Sequence, residues 1–456
     1  MHDVAIIGGG PGGYAAALYA HNFGLSVALV ERDKVGGTCL HRGCIPAKSW
    51  LHTAEVFHQV AHAGDHGVIT NAPSLDWQAA LDRKGRVVNQ LFTGLQGLLE
   101  KRGVEIIDGT GRLAGRGIVD VTFDDGSSRR VEARNVIVAT GSVPRSIPGY
   151  EIDGDRIVSS DHALDWSSRP DRVAIIGAGA IGAEFASLLA DVGAEVHLFE
   201  VVDQILPGVE PRAARALHKS FADRGMQVHT GIGVDPPQIV NGGIVVPFAG
   251  EKVEVDVVLV AVGRAPVTSG MGFEEAGITL DRGFVKTDLE TMLTDAPNVY
   301  AVGDIVAGTP QLAHAGFAEG ISAITHIATG SPAPTDYRAI PLVVYTRPEV
   351  ASVGLTEQQA KDAGYDVVTT DHPFAGTGRA IIKGESGLVR LVVEKDGPIL
   401  GATVVGSIAG EMIHELMYSV GWEALPSEAA AFIHAHPTMA EAVGETLLAA
   451  AGRSLH

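Results

Sequence analysis

The chain has 456 residues, 46% of them hydrophobic, 19% charged and 5% aromatic, which excludes a disordered chain and leaves room for two to four globular domains. Its 54 acidic residues outnumber 34 Lys and Arg, for a formal charge of −20, and so exclude the basic face that nucleic acid or an anionic membrane requires. No run reaches about 18 uninterrupted apolar residues, the minimum for a membrane-spanning helix.

In chain order, "DVAII", "GGGPGG", "YAAALYAHNFG" and "SVALVE" read as strand, glycine turn, helix and strand. The opening "MHDVAIIGGGPGG" enters that unit at once and leaves no room for a signal or transit peptide, so a cytoplasmic address is expected. "GGTCLHRGCIPAK" follows and holds both cysteines of the chain, Cys39 and Cys44. Cytoplasmic thiols are held reduced, and a loop this short gains little stability from closure, so a disulfide here would be catalytic rather than structural. A helix is expected after Cys44. A longer one is predicted from about Leu75 to Arg102, with Leu81, Val88, Leu91, Leu95 and Leu98 on one buried face.

"VDVTFDDGSSRRVEA" predicts a hairpin turning at Asp125-Gly126, and "NVIVATGS" a buried strand ending in a small-residue turn. After "SSRPDR", a linker, the opening pattern returns as "RVAIIGAGAIGAEFASLLADVGAEVHLFE". A third region, about 268–336, ends a strand in "NVYAVGD". From Pro341 onward β-rich runs, with a turn at Asp396-Gly397, precede helical ones, the pattern of an α+β domain with an antiparallel sheet.

The internal duplication carries the chemistry. G-x-G-x-x-G occurs as Gly8, Gly10, Gly13 and again as Gly177, Gly179, Gly182. In this motif the first glycine makes the turn, the second lets backbone approach a pyrophosphate, and the third lets helix pack on strand. Each copy follows an apolar strand, opens a helix and meets an acidic residue, Glu31 or Glu200, 23 residues past its first glycine. A carboxylate there accepts adenosine ribose hydroxyls. "LFEVVDQ" around Glu200 offers no Arg or Lys for a 2′-phosphate, which favours NAD over NADP. Two ordinary βαβ turns with surface glutamates are the bland alternative. Two dinucleotides in one chain suggest an electron path from a bound flavin, FAD, to an exchangeable nicotinamide.

Over essentially its whole length the chain resembles the flavin-dependent pyridine nucleotide-disulfide oxidoreductases, most closely the branch that oxidises dihydrolipoyl groups with NAD+. That resemblance implies an α/β fold of two Rossmann-like dinucleotide-binding domains, for FAD and NAD, plus a C-terminal α+β dimerisation domain. The boundaries expected are 1–148 for the first part of the FAD domain, 149–266 for the NAD domain, 267–337 for a central domain completing the FAD site and 338–456 for the interface domain. "GGTCLHRGCIPAK" is similar to the family's redox pair, and the resemblance implies that Cys39 meets substrate and Cys44 faces the flavin. It further implies Lys48 near the flavin's reactive nitrogen and Glu184 pairing with it where nicotinamide stacks. "TDAPNVYAVGD" resembles the second flavin segment, with Asp304 reaching the ribityl chain, and "LAHAGFAEG" the helix after it, with His314 and Glu319. "VATGS" and "AVGRAP" resemble the turns between domains, Thr140-Gly141 and Gly263-Arg264. "HAHPTMAE" implies His436 as catalytic base, oriented by Glu441, supplied by the partner subunit of a homodimer. An imidazole held by a carboxylate suits a dithiol needing a base near neutral pH.

A His434/His436 metal pair is the weaker reading of that stretch, since no third or fourth ligand accompanies it. His41-Arg42 stands where the family often has Asn after "GTCL". Extra positive charge there could lower a thiol pKa, or the two side chains could simply be solvated. Ala47, Val267 and Thr377 also depart from common family residues and bear on substrate choice. A lipoyl-bearing carrier protein of a 2-oxo-acid dehydrogenase or glycine cleavage system is an expected partner. The alternatives are an NADH-dependent reductase of another small disulfide and a non-catalytic flavoprotein scaffold.

Overall fold

The computed structural model describes residues 1–240 and 243–455. They form two compact units, one of Met1–Trp50, Gln78–Arg145 and Gly263–Tyr337, the other of Leu51–Trp77, Ser146–Val262 and everything from Arg338 onward.

In the first unit the apolar runs "VAII", "VALV" and "VIV" become parallel strands. His2–Ile7 lies between Val27–Glu31 and Ser128–Val138, with Glu105–Asp108 outside the second and Val299–Ala301 beside the third. Unbroken apolar strands suit a sheet covered on both faces, and Val4, Ala5, Ile6, Leu29, Val136 and Ile137 are fully buried. The helices Pro11–Ala20 and Ala313–Thr329 pack through small residues: a Cβ on Gly320 would lie 2.5 Å from the Gly12 carbonyl oxygen.

The second strand of the predicted hairpin and the buried strand prove to be one element. Ser128–Val138 pairs antiparallel with Ile118–Thr122 over its first half and parallel with His2–Ile7 over its second. The long helix runs Trp77–Lys101, but its single buried face needs correction. Ala80, Lys84 and Leu99 are buried, whereas Leu91 and Leu98 are exposed. At roughly 100° per residue, Leu91 and Leu98 lie roughly 60–80° round the helix from Val88, while Leu99 stays within roughly 20°.

The second unit repeats the parallel arrangement: Arg172–Ile176 sits between Glu195–Glu200 and Val257–Val260, with Gln227–Thr230 and Ile157–Val158 at the edges. The antiparallel sheet expected beyond Pro341 has five strands, Leu342–Val344, Glu349–Gly354, Ile399–Gly406, Leu388–Glu394 and Val367–Pro373 in spatial order. Helices Ala409–Gly421 and Glu441–Ala450 bury Ile413, Leu416, Val443 and Leu447 in the core of that layer. Among the described residues no helix is long and apolar enough to cross a membrane.

A buried charge cluster ties segments of this unit together. Arg390, 8% exposed, reaches Glu210 at 3.2 Å, Asp371 at 2.9 Å and Glu357 at 2.5 Å. Removing one member of a buried cluster leaves the others uncompensated, so Arg390→Met should destabilise the protein by about 3–5 kcal/mol. A urea unfolding midpoint equal to that of the unaltered protein would refute this.

Candidate redox and dinucleotide site

The two glycine turns are near-copies of each other. Gly8 and Gly177 take φ of +105° and +97°, and a Cβ on them would lie 2.2 Å from the Ala139 oxygen and 2.5 Å from the Ala261 oxygen. Cβ atoms on Gly13 and Gly182 would each lie 1.9 Å from the carbonyl oxygen of the first glycine. The middle glycines, Gly10 and Gly179, differ: a Cβ on either would meet no protein atom within 4 Å. Two glycines are therefore demanded by the chain's own packing, and the one between faces open space at a helix N-terminus. That is the shape of a pyrophosphate cradle, and the residues present fit a dinucleotide at both turns.

The acidic partners also match. Glu31 accepts the Gly9 N–H at 2.6 Å and the Asp33 N–H at 2.9 Å; Glu200 accepts the Ala178 N–H at 2.8 Å and the Val202 N–H at 3.2 Å. A carboxylate has about four lone-pair sites, so each keeps capacity for ribose hydroxyls. Val201, beside Glu200, is exposed and apolar.

In the first unit the cysteine segment is laid directly on the glycine turn. The Gly36 N–H donates to the Gly9 carbonyl at 2.7 Å, and a Cβ on Gly37 would lie 2.6 Å from Gly10 Cα. Cys39 lies in the short helix Gly37–His41, and Cys44 is the first residue of the helix Cys44–Ala61. Both are half-buried thiols. A hydrogen bond to Cys44 together with burial raises the Cys39 pKa, and negative charge on Cys44 adds to this, while Lys48 pulls the other way. The helix that Cys44 begins favours negative charge at its N-terminus. Lys48 follows one turn later on the same helix face.

His41 and Arg42, open in the sequence, have local tasks. The His41 ring hydrogen-bonds the Val35 carbonyl at 3.0 Å and meets Phe92 edge-on. Arg42 is ion-paired with Asp33. Neither is among the groups acting on Cys39; the positive charge that acts there is Lys48.

The other expected residues of this unit converge on one turn. Thr140 Oγ1 donates to the Val267 carbonyl at 2.5 Å, and the Val267 N–H donates to the Gly141 carbonyl at 2.9 Å. Ser142 donates to Asp304 at 2.5 Å and accepts from Arg264 at 2.7 Å. Gly263 has φ +103° and its carbonyl accepts the Arg145 N–H at 3.0 Å. Glu319 is fully buried and accepts the Gly303 N–H at 2.6 Å and the Tyr337 hydroxyl at 3.1 Å; burial pushes its pKa up to about 7 against those bonds. His314 is exposed, on the same helix. Ser142 closes the "VATGS" turn but had no role read from it, and no motif singles out Tyr14, whose phenol is pushed up to about 12, chiefly by burial.

In the second unit Glu184 is buried on the helix Ala180–Asp191 and accepts the Tyr345 N–H at 3.0 Å. His436 and Glu441 meet as the resemblance implies: Nδ1 to Oε1 is 2.7 Å, and the second carboxylate oxygen accepts the Thr438 N–H at 2.8 Å. The hydrogen bond to His436 holds the Glu441 pKa below the usual carboxylate range. The imidazole is 78% exposed, so its Nε2 edge is free to meet a reactant. Among the described residues no group of three or more metal-ligating side chains occurs, and His434 Nε2 is engaged by Glu415 instead.

Residues 2–320 match the family model of the pyridine nucleotide-disulphide oxidoreductases, and residues 340–447 match the dimerisation domain of the same family. A dihydrolipoyl dehydrogenase of Bacillus subtilis is 37% identical, aligned over 100% of this chain and 99% of its own length. One from Haloferax volcanii is 39% identical over 100% and 97%. The crystal structure of LpdA from Mycobacterium tuberculosis superposes with a TM-score of 0.90 at 28% identity, covering 97% of this chain and 98% of that one.

The glycine geometry separates folding from binding. Gly179→Ala should leave the melting temperature within about 2 °C, since a surface change without a clash is near neutral. It should weaken dinucleotide binding measured by calorimetry. Gly182→Ala should instead lower the melting temperature markedly, because its Cβ collides with backbone. Equal effects of the two substitutions on stability would contradict this division.

Proposed function

The chain is a member of the pyridine nucleotide-disulphide oxidoreductase family, and on that premise we propose that it oxidises dihydrolipoyl groups to lipoyl disulfides with NAD+ as acceptor. The observation that carries the reading is the asymmetric placement of the two thiols: Cys44 begins a helix one turn before Lys48, and Cys39 lies in the short helix before it, its pKa raised by the hydrogen bond to Cys44 and by burial. Full-length relatives called dihydrolipoyl dehydrogenase support the choice of substrate. Bound FAD would supply the two-electron transfer that links the enzyme dithiol to NAD+.

The chain's own residues conduct the thiol chemistry. His436, oriented by Glu441, takes a proton from one substrate thiol. The thiolate attacks Cys39 Sγ of the oxidised pair; a substrate–Cys39 bond forms, the Cys39–Cys44 bond breaks, and Cys44 leaves as thiolate. The second substrate thiol then attacks the first sulfur and closes the lipoyl ring; its proton passes to the departing Cys39, which leaves as its thiol, and His436 keeps the first proton. The substrate is oxidised by two electrons and the enzyme pair reduced by two. Residues Gly8, Gly10, Gly13, Glu31, Lys48, Thr140, Gly141 and Asp304 are assigned to FAD, and Gly177, Gly179, Gly182, Glu200 and Gly263 to NAD, with Glu184 on the nicotinamide side.

The same reading divides the chain into FAD-binding residues 1–148 and 267–337, NAD-binding residues 149–266 and interface residues 338–456. A homodimer suits the exposed apolar side chains of the last region: Tyr418, Trp422, Phe432 and Ile433 are 54%, 77%, 76% and 98% exposed. A lipoyl-bearing carrier protein and a cytoplasmic address complete it.

Three variants test the thiol roles. NADH added to the purified flavoprotein should produce a long-wavelength absorbance that Cys44→Ser abolishes and Cys39→Ser retains, while both lose dihydrolipoamide oxidation. His436→Gln should lower kcat for that reaction roughly 10²–10⁴-fold. Full activity of Cys39→Ser, or a preference for glutathione disulfide over lipoamide in the reverse assay, would refute the assignment. Combining Glu200→Ser with Val201→Arg should shift the kcat/KM ratio toward NADPH by at least roughly tenfold, because the change removes a carboxylate and adds a phosphate partner. An unaltered ratio would move the cofactor choice elsewhere.

A further inference from the structure

The first histidine of "HAHPTMAE" has no part in the thiol chemistry above, yet it is the more tightly held of the two. His434 is 14% exposed on its side chain, against 78% for His436. Its Nε2 meets Glu415 Oε1 at 2.8 Å, from the helix Ala409–Gly421. Its other edge lies against Gly444 in the helix Glu441–Ala450: a Cβ there would stand 2.5 Å from Nδ1 and 2.9 Å from Cε1. Gly444 lies one turn beyond Glu441, so the ring rests on the helix face that carries the carboxylate of the pair. Between the two histidines the chain closes on itself, with Thr438 Oγ1 donating to the Ala435 carbonyl at 2.7 Å.

We propose that His434 is a positioning residue for the His436–Glu441 pair: clamped between Glu415 and the bare face of Gly444, it fixes the turn that presents His436 to Glu441. The exposed ring of His436 has little packing of its own, and its direction must come from the backbone that carries it. Two features support a designed seat. Glycine in a helix interior is unfavourable by about 1 kcal/mol relative to alanine, and here its missing Cβ is the space the imidazole occupies. The charged groups acting on His434 are Glu415, which raises its pKa by direct hydrogen bonding, and Glu441, which adds to the effect. His434 in turn joins His436 in favouring the ionised form of Glu441, the form that accepts a hydrogen bond from the base.

The inference rests on His436 being the base, and the experiment separates the two claims. Steady-state dihydrolipoamide oxidation is compared in His434→Ala, His434→Gln, Glu415→Ala, the His434→Ala/Glu415→Ala double variant and Gly444→Ala, beside His436→Gln. Reduction of ferricyanide by NADH, which bypasses the dithiol, is measured in each. His434→Ala should lower kcat roughly 10–100-fold with little change in KM, since small misplacement of a reacting group has effects of that size. His434→Gln, which still donates to Glu415, should recover much of the loss, and the double variant should fall no further than either single one. Gly444→Ala should lower kcat, because its Cβ displaces the ring. Ferricyanide reduction should be unchanged in the His434, Glu415 and Gly444 variants. If His436→Gln is inactive while His434→Ala keeps full kcat, the positioning role is wrong. It is also wrong if His434→Ala and His434→Gln lose both activities equally. If His436→Gln itself keeps full kcat, the base assignment fails first.

Discussion

The carbonyl of the first glycine in each fingerprint passes so close to the third that only hydrogen fits between them, with a Cβ on Gly13 or Gly182 placed 1.9 Å away. That contact sets where each helix begins relative to its strand, and hence where the free N–H groups of its first turn point. The acidic residue of the next strand reads the same geometry: Glu31 and Glu200 each accept the amide immediately after the first glycine, at 2.6 and 2.8 Å. In the first unit the cysteine segment is then hung on the turn through Gly36 and Gly37. The position of the cysteine pair is therefore inherited from a backbone contact among residues with no side chains.

Chemical asymmetry follows from where each sulfur falls along the chain. Cys39 lies in a five-residue helix and Cys44 begins an 18-residue one, so the two thiols meet different backbone fields although they are neighbours. A helix N-terminus and a lysine one turn along favour negative charge on Cys44, and that charge discourages ionisation of Cys39. At the other end of the chain, Glu441 grips His436 on one edge and leaves the remainder of the ring in the open.

Several residues change meaning once the chain is folded. His41 and Arg42 interrupt a family pattern beside the cysteines, which made them candidates for tuning a thiol, yet they secure the loop after Glu31 through Val35, Phe92 and Asp33. The second strand of the hairpin and the buried "NVIV" were separate patterns because one alternates and the other is uniformly apolar. They are one strand, whose first half has a solvent face and whose second half is covered on both sides. Leu91 and Leu98 matched a helical stripe by spacing alone, but the helix turns them away from the core.

The sequence alone determined what depends on neighbours within a few turns of chain. The glycine spacings, the cysteine pair and the duplicated strand–turn–helix unit are local patterns, and local backbone geometry leaves them little freedom. Family resemblance extended these to Lys48, the His436–Glu441 dyad, cofactors and substrate. The tertiary structure decided every partnership made across long stretches of chain: Ser142 with Asp304, 162 residues apart, and the Tyr345 amide with Glu184, 161 apart. It also decided the seat of His434 between Glu415 and Gly444. No periodicity announces such pairs, because the residues meet only when sheets and helices pack, and packing depends on shape and volume summed over the whole core rather than on any short motif.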